Sequence, residues 1–324
     1  MKKPLIILTG PTAVGKTSLS VRLAKMAGGE IISADSMQVY KGMDIGSAKI
    51  MPEEMQGVRH YLIDELSPKE EFNVVKFQEY AKKYIEEIYA RGRVPILTGG
   101  TGFYIQSVLY DIDFTETEEN REYREYLEGL AKEKGPLFLH GELQKVDPRA
   151  AEQIHANNVK RVIRALEYFR ETGEPISKHN EEERKKESPY NFAYFVLNDR
   201  RDVLYDRINK RIDMMLEAGL IEEVKRLKEE GCTRNMVSMQ GLGYKEILDY
   251  LDGRCTLEEA VYILKRDTRH FAKRQLTWFK RERDVIWVNK DEFSYSEEKI
   301  LAHMDEILIQ KGILNERRAE DDRV

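Results

Sequence analysis

Short apolar runs punctuate the N-terminal third of the chain, at residues 5–8, 30–34, 60–64 and 94–98. Each has the length and bounded character of a buried strand. Amphipathic stretches lie between them, at 18–26 and at 74–91. The second places Val75, Tyr80, Tyr84, Ile85 and Ile88 at helical spacing and stops at Gly92, a residue suited to a helix C-terminal cap. Strands alternating with helices predict a parallel sheet covered on both faces. Ligands of such sheets sit at the carboxyl ends of the strands.

From about Asp113 the pattern changes. Residues 115–186 are rich in Glu, Arg and Lys with helical periodicity. Helices are expected over 118–134, 148–154 and 159–172, the second starting at Asp147-Pro148. The charged stretch 180–188 reads as an exit linker. An aromatic and β-branched strand follows at 192–197. Helices are then expected at 201–217 and 220–230, joined at Gly219, and a long one at 256–283. A last strand at 285–288, a helix at 296–310 and a charged tail complete the pattern. The predicted organisation is an α/β core from residues 1–113 and 189–315, with its C-terminal helices. A helical insertion domain spans 114–188, and a charged flexible tail spans 316–324.

Composition narrows the function. The 324 residues are 41% hydrophobic and 34% charged, with a net charge of −5, which excludes a uniformly basic coat but leaves room for a local basic surface. Cys232 and Cys255 have no metal-ligand spacing and make no disulfide framework. The run at 5–8 is too short for a signal peptide, and no run approaches membrane-spanning length. A cytoplasmic protein without a membrane partner is expected.

The most specific local pattern is Gly10-Pro11-Thr12-Ala13-Val14-Gly15-Lys16-Thr17, between the first strand and the first helix. It fits the P-loop, whose backbone N–H groups and helix N-terminus face phosphate oxygens. Lys16 adds a positive charge, and Thr17 a hydroxyl suited to Mg²⁺. The fold class expected is therefore α/β, a P-loop nucleotide-kinase-like parallel sheet with a helical insertion and a helix-rich C-terminal part. Asp35 follows the second strand. There it can hold Mg²⁺, orient a substrate or accept a proton, or it can simply cap a turn with Ser36. Gly99-Gly100-Thr101-Gly102 is a tight strand-to-helix turn that can also bring Thr101 to substrate. Asp64 is the one Walker B candidate, so NTP-hydrolysis machinery is thin. Arg207 and Arg211 share a helix face and can clamp a pyrophosphate, although acidic neighbours also suit a surface role. Lys265, Arg266, Arg269, His270, Lys273, Arg274, Lys280, Arg281 and Arg283 crowd the long helix, with Gln275, Trp278 and Phe279 interleaved. That is an RNA surface or a solvated face with the aromatics in the core. Lys160, Arg161 and Arg164 form a smaller basic cluster.

Separated motifs match one family in order: GPTAVGKT at 10–17, ADSMQVY at 34–40, KGMDIGSAK at 41–49, GGTGFY at 99–104, NVKRVIRAL at 158–166, QGLGYK at 240–245 and KRQLTWF at 273–279. With these the chain resembles the bacterial tRNA dimethylallyltransferases, also called tRNA isopentenyltransferases. The resemblance implies transfer of the five-carbon group of dimethylallyl diphosphate to N6 of the adenosine 3′ to the anticodon, in tRNAs reading codons that begin with U. It makes the P-loop, with Arg211, a diphosphate cradle. Asp35 becomes the general base, and Thr17, Thr101 and Arg207 further catalytic groups, with Mg²⁺ at Thr17. Contacts to tRNA are implied for Asp35, Ser36, Met37, Gln38, Thr101, Tyr123, Arg124, Lys160, Arg161, Arg164, Gln240, Gly241, Leu242, Gly243, Tyr244, Lys245, Lys273, Arg274, Gln275 and Trp278. One chain suffices for one site, so a monomer is expected. The rivals are a prenyltransferase acting on free AMP or ATP, a small-molecule P-loop kinase, and a nucleic-acid-binding NTPase.

Overall fold

The computed structural model describes residues 2–114 and 121–315. The chain divides into two compact units, Met1–Leu109 with Pro189–Val324, and Tyr110–Ser188.

The first unit is built on β1 (Lys3–Thr9), α1 (Lys16–Ala27), β2 (Gly29–Ser33), α2 (Pro52–Met55), β3 (His60–Tyr61), α3 (Val74–Ala90), β4 (Val94–Gly99) and α4 (Gly102–Leu109). The second holds α5 (Arg121–Lys134), α6 (Pro136–Val146), α7 (Pro148–Gln153), α8 (Val159–Thr172) and α9 (Ile176–Lys185). The chain then returns to the first through β5 (Tyr190–Asn198), α10 (Arg201–Glu217), α11 (Leu220–Glu229), α12 (Tyr244–Leu251), α13 (Leu257–Phe279), β6 (Val285–Asn289) and α14 (Glu297–Gln310).

The six strands form one sheet in the order β3-β2-β4-β1-β5-β6, every pair parallel. β1 is central and buried from Leu5 to Thr9, as expected for a strand covered on both faces. Ile6 and Leu8 point to one face, where Leu19 and Leu23 of α1 and Ile300, Met304 and Leu308 of α14 join the same core. Register places Thr9 opposite Gly99 of β4 and Val196 of β5. The carboxyl ends of β4, β1 and β5 therefore open side by side, at the point where strand order reverses.

The α/β parallel sheet is as expected, with local corrections. The expected strand at 60–64 is only His60–Tyr61, because Leu62 and Asp64 have left-handed backbone, φ 61° and 55°. Asp64 ion-pairs with the buried Lys49, so it is spent on a loop rather than poised as a Walker B acid. The expected linker at 180–188 is largely helical, since α9 runs to Lys185. The long helix ends at Phe279, which leaves Arg281 and Arg283 beyond it. Residues 118–120 of one expected helix, and the 316–324 tail, lie outside the described residues.

In the second unit Leu127, Leu139, Leu143, Val162, Ile163 and Leu166 form a separate core.

Candidate active site at the carboxyl edge of the sheet

The P-loop leaves β1 at Gly10, whose φ is 147°. A Cβ there would stand 2.4 Å from the Leu197 carbonyl oxygen of β5, so only glycine lets the chain turn this close to its neighbour strand. Pro11, Thr12, Ala13 and Val14 carry the loop to Gly15, and Lys16 opens α1. The Lys16 ammonium folds back on its own loop, donating to the Gly10 and Pro11 carbonyls at 3.0 and 2.9 Å. Burial, reinforced by the charge of Arg211, lowers its pKa to about 8, while Asp35 acts in the opposite direction.

Asp35 comes just after β2, two strands from β1 across β4. Ala34 ties this corner to its neighbours: its N–H donates to Thr98 O at 2.8 Å, and its carbonyl accepts the Thr101 N–H at 3.2 Å. Asp35 and Thr101 are thereby brought to one corner. Asp35 accepts the Met37 N–H at 2.9 Å. Burial raises its pKa against the opposing pull of that bond and of Lys16. The sequence left Asp35 as either a turn cap or a chemical group. It caps the turn, and it also holds a desolvated carboxylate within the field of the P-loop lysine.

The arginines arrive on α10, directly after β5. Arg211 has its pKa lowered by burial alone. Arg207 is held by the buried Asp199, Nη1 to Oδ2 at 2.8 Å, and Asp199 also accepts the Tyr295 hydroxyl at 3.2 Å. Sequence reasoning passed over Asp199 and Tyr295. It also passed over Lys290, whose Nζ donates to the Val14 carbonyl at 3.2 Å.

From α13, Gln275 bridges the two glycine loops. Its Oε1 accepts the Thr12 N–H, and its Nε2 donates to Gly100 O, each at 2.9 Å. Trp278 covers Gly102, where an added Cβ would stand 2.2 Å from the indole. Its Nε1–H is buried without a hydrogen-bond partner among the described residues. Phe279 is fully buried, as the core reading of that residue required. On the outer side of α13, Lys273 and Arg274 are exposed. Lys265, Arg266 and Arg269 are instead taken up by Asp213, Asp267 and Asn209.

The remaining candidates are distributed around this edge or lie in the second unit. Ser36 and Met37 continue the Asp35 turn, and Met37 Sδ packs on Gly241. Gln38 is bound to Ser33 and to the Ala48 carbonyl. Gln240, exposed, donates to Arg234 O. Leu242 is half-buried, and Lys245 meets Glu246 at 3.4 Å. Gly243 is capped by Glu246 at 2.9 Å. Tyr244 is fully buried and donates to Glu223 at 2.8 Å. Glu223 of α11 also accepts the backbone N–H groups of Asp44, Ile45 and Gly46, so it ties Tyr244 of the QGLGYK segment to the loop between β2 and α2. In the second unit, Arg124 makes a two-bonded pair with the buried Glu167, and the Arg170 guanidinium lies 3.9 Å from the Tyr123 ring centre. Arg164 is half-buried, whereas Lys160 and Arg161 stand exposed in the first turn of α8.

Thr17 is exposed at the start of α1, and no cluster of three or more His, Cys, Asp or Glu able to hold a metal exists among the described residues.

Fold and site together define an α/β protein of the P-loop class with a half-buried, desolvated carboxylate near the P-loop. Comparison with known proteins makes this specific. The IPP transferase family model matches residues 38–282. A tRNA dimethylallyltransferase of Lachnoclostridium phytofermentans is 65% identical over 96% of this chain and 99% of its own length. One from Acetivibrio thermocellus is 55% identical over 95% and 98%. Among solved structures, the full-length tRNA isopentenylpyrophosphate transferase of Bacillus halodurans has 48% identity and a TM-score of 0.72, covering 96% of this chain and 98% of that one. A eukaryotic dimethylallyltransferase acting on tRNA has 31% identity and a TM-score of 0.76, covering 89% and 74%. The chain belongs to the IPP transferase family, the tRNA dimethylallyltransferases, and is an enzyme of the prenyl-transferring class.

Proposed function

We propose that the chain transfers the dimethylallyl group of dimethylallyl diphosphate to N6 of the adenosine 3′ to the anticodon, in tRNAs that read codons beginning with U. The observation that carries this reading is the mutual field of Asp35 and Lys16. A desolvated base and a phosphate-loop cation stand at the carboxyl ends of β2 and β1, with β4 between them. The names of the relatives support the same substrate class.

The chemistry follows from charge. The adenine N6 attacks the allylic carbon as the carbon–oxygen bond to diphosphate breaks. Negative charge grows on the leaving diphosphate. Lys16, the loop N–H groups, Arg211 and the Asp199-held Arg207 stabilise it. An exocyclic adenine amine is a weak nucleophile, and Asp35 accepts its proton as the new bond forms. Thr17 would hold Mg²⁺, which adds charge neutralisation at the diphosphate oxygens. The target base leaves its stack to reach Asp35 and Thr101. The exposed Lys273, Arg274, Lys160 and Arg161 hold RNA phosphates. All these groups come from one chain, so the enzyme works as a monomer, in the cytoplasm where tRNA resides. Among the described residues no helix is long and apolar enough to cross a membrane.

The competing reading is prenylation of free AMP or ATP. The exposed cations of α13 and α8 would then have no role. Incubation with labelled dimethylallyl diphosphate and an anticodon stem-loop RNA decides between them. Label in the RNA is expected. Label in AMP or ATP instead, or phosphate release from ATP, overturns the proposal.

A further inference from the structure

β6 pairs with β5 on the far side of β1, with Asn289 in register with Asn198 and joined to it through their side-chain amides at 2.9 Å. The chain that leaves β6 is therefore delivered to the carboxyl edge beside the P-loop. Its first residue, Lys290, is 9% exposed, an unusual state for a lysine. Its ammonium donates to the Val14 carbonyl at 3.2 Å and stands 3.1 Å from where a Cβ on Gly15 would be. That carbonyl is its only hydrogen-bond partner among the described residues, so the three-donor ammonium has capacity to spare. A few residues on, Tyr295 donates to Asp199, the carboxylate that holds Arg207. One short connection thus touches the loop on one side and the arginine's support on the other.

We propose that Lys290 is a further diphosphate-positioning residue. It fixes the Val14–Gly15 peptide so that the loop N–H groups face the phosphates, and it adds a cation to the wall of their site. This rests on the reading of the P-loop as a diphosphate cradle. The charged surroundings of Lys290 are mixed: Arg207 opposes its charge, while Glu297 and Asp199 favour it. Its single hydrogen bond among the described residues leaves donor capacity that an anion held by the loop can take up. Burial, and after it Arg207, push the Lys290 ammonium down from its ordinary range, against the opposing pull of Glu297 and Asp199.

The test compares Lys290→Gln and Lys290→Arg with the wild-type chain. Gln retains a donor for the Val14 carbonyl without the charge, and Arg retains both. For Gln, KM for dimethylallyl diphosphate and the inhibition constant of inorganic diphosphate should rise about tenfold, as expected for a lost charge-assisted contact. The value of kcat and the KM for tRNA should stay within about threefold, and Arg should restore most of the loss. A purely structural role would lower kcat or stability without this split. Unchanged diphosphate affinity in Lys290→Gln overturns the proposal. Should that variant not fold, the Lys290 Cε–H signals of the wild-type chain, assigned through their absence in Lys290→Arg, serve instead. They should move when inorganic diphosphate is added, and an unmoved signal overturns the proposal equally. A wild-type chain that fails to bind inorganic diphosphate at all overturns the cradle reading itself.

Discussion

Asp35 keeps a carboxylate where burial opposes its charge. In the proposed function the cost of that charge and the use of Asp35 as a base have one origin, and a single substitution tests both. Asp35→Asn retains an oxygen for the Met37 N–H and removes the buried charge. Transfer to RNA should fall roughly 10²–10⁴-fold, with tRNA binding kept. Stability should move the other way. The folded-state pKa is raised, so folding takes up a proton, and wild-type stability declines as pH rises from the ordinary Asp range through the raised value. At neutral pH the variant should therefore melt at a higher temperature than wild type, and the gap should close below about pH 4. Thermal melts across pH check this, and equal melting temperatures at pH 7 would mean that the carboxylate is well compensated. The same raised pKa makes wild-type transfer fall as pH drops, because the base is then protonated. Asp35 could be picked out in the sequence because it follows a strand at a predictable edge. Lys290 and Asp199 could not. Lys290 meets Val14, and Asp199 meets Tyr295, across separations in the chain that no local spacing encodes.

Helix α13 has an inward face and a solvent face. Gln275 turns inward to join the glycine loops, while Lys273 and Arg274, its immediate predecessors in the chain, face solvent. The sequence shows a crowd of cations there but not which of them are free to act. That depends on partners such as Asp213 and Asn209, supplied by α10. Neutralising Lys273 and Arg274 to Gln should weaken tRNA binding and reduce the slope of log affinity against log salt by about 1.4–1.8, for two lost phosphate contacts. Titrations at several salt concentrations measure it, and an unchanged slope would place this face away from RNA. On α8, Lys160 and Arg161 stand in the first turn, where the helix dipole disfavours positive charge. An RNA phosphate at that end would offset the penalty. Helices that bury a row of apolar residues, such as α8 and α10, were legible in the sequence to the residue. Helix α9 was not, because it buries no residue and gives periodicity nothing to report. The apparent strand at 60–64 misled for a different reason: the left-handed turns at Leu62 and Asp64 have no apolar signature.

At the scale of the molecule, the P-loop and α1 are met by the last strand and the last helix of the described chain. β6 delivers Lys290, and α14 then packs on α1, the helix that carries Lys16 and Thr17. Ser18 and Arg22 bond to Glu297 and Glu298, and Met304 lies fully buried in the same core as Leu19 and Leu23. The alternation of strands and helices disclosed the sheet, but this closure was hidden, since α14 reads in isolation as one more amphipathic helix. Met304 is a side chain of the apolar core, without a polar group to offer the site, so its effect on function is expected to pass through folding. Met304→Ala should cost about 2–5 kcal/mol through lost burial and a cavity. That is a large share of the roughly 5–15 kcal/mol that holds a typical protein folded. A ligand bound only by the folded state gives back about 2.7 kcal/mol at a hundredfold excess over its Kd. Inorganic diphosphate at that excess should therefore recover much of the melting temperature lost in Met304→Ala. It should recover little when Lys16→Ala is added, because the cradle is then impaired. At saturating substrates and a temperature where the variant is folded, its kcat should match wild type. A tenfold lower kcat under those conditions would show that α14 shapes the site directly rather than through the stability of α1.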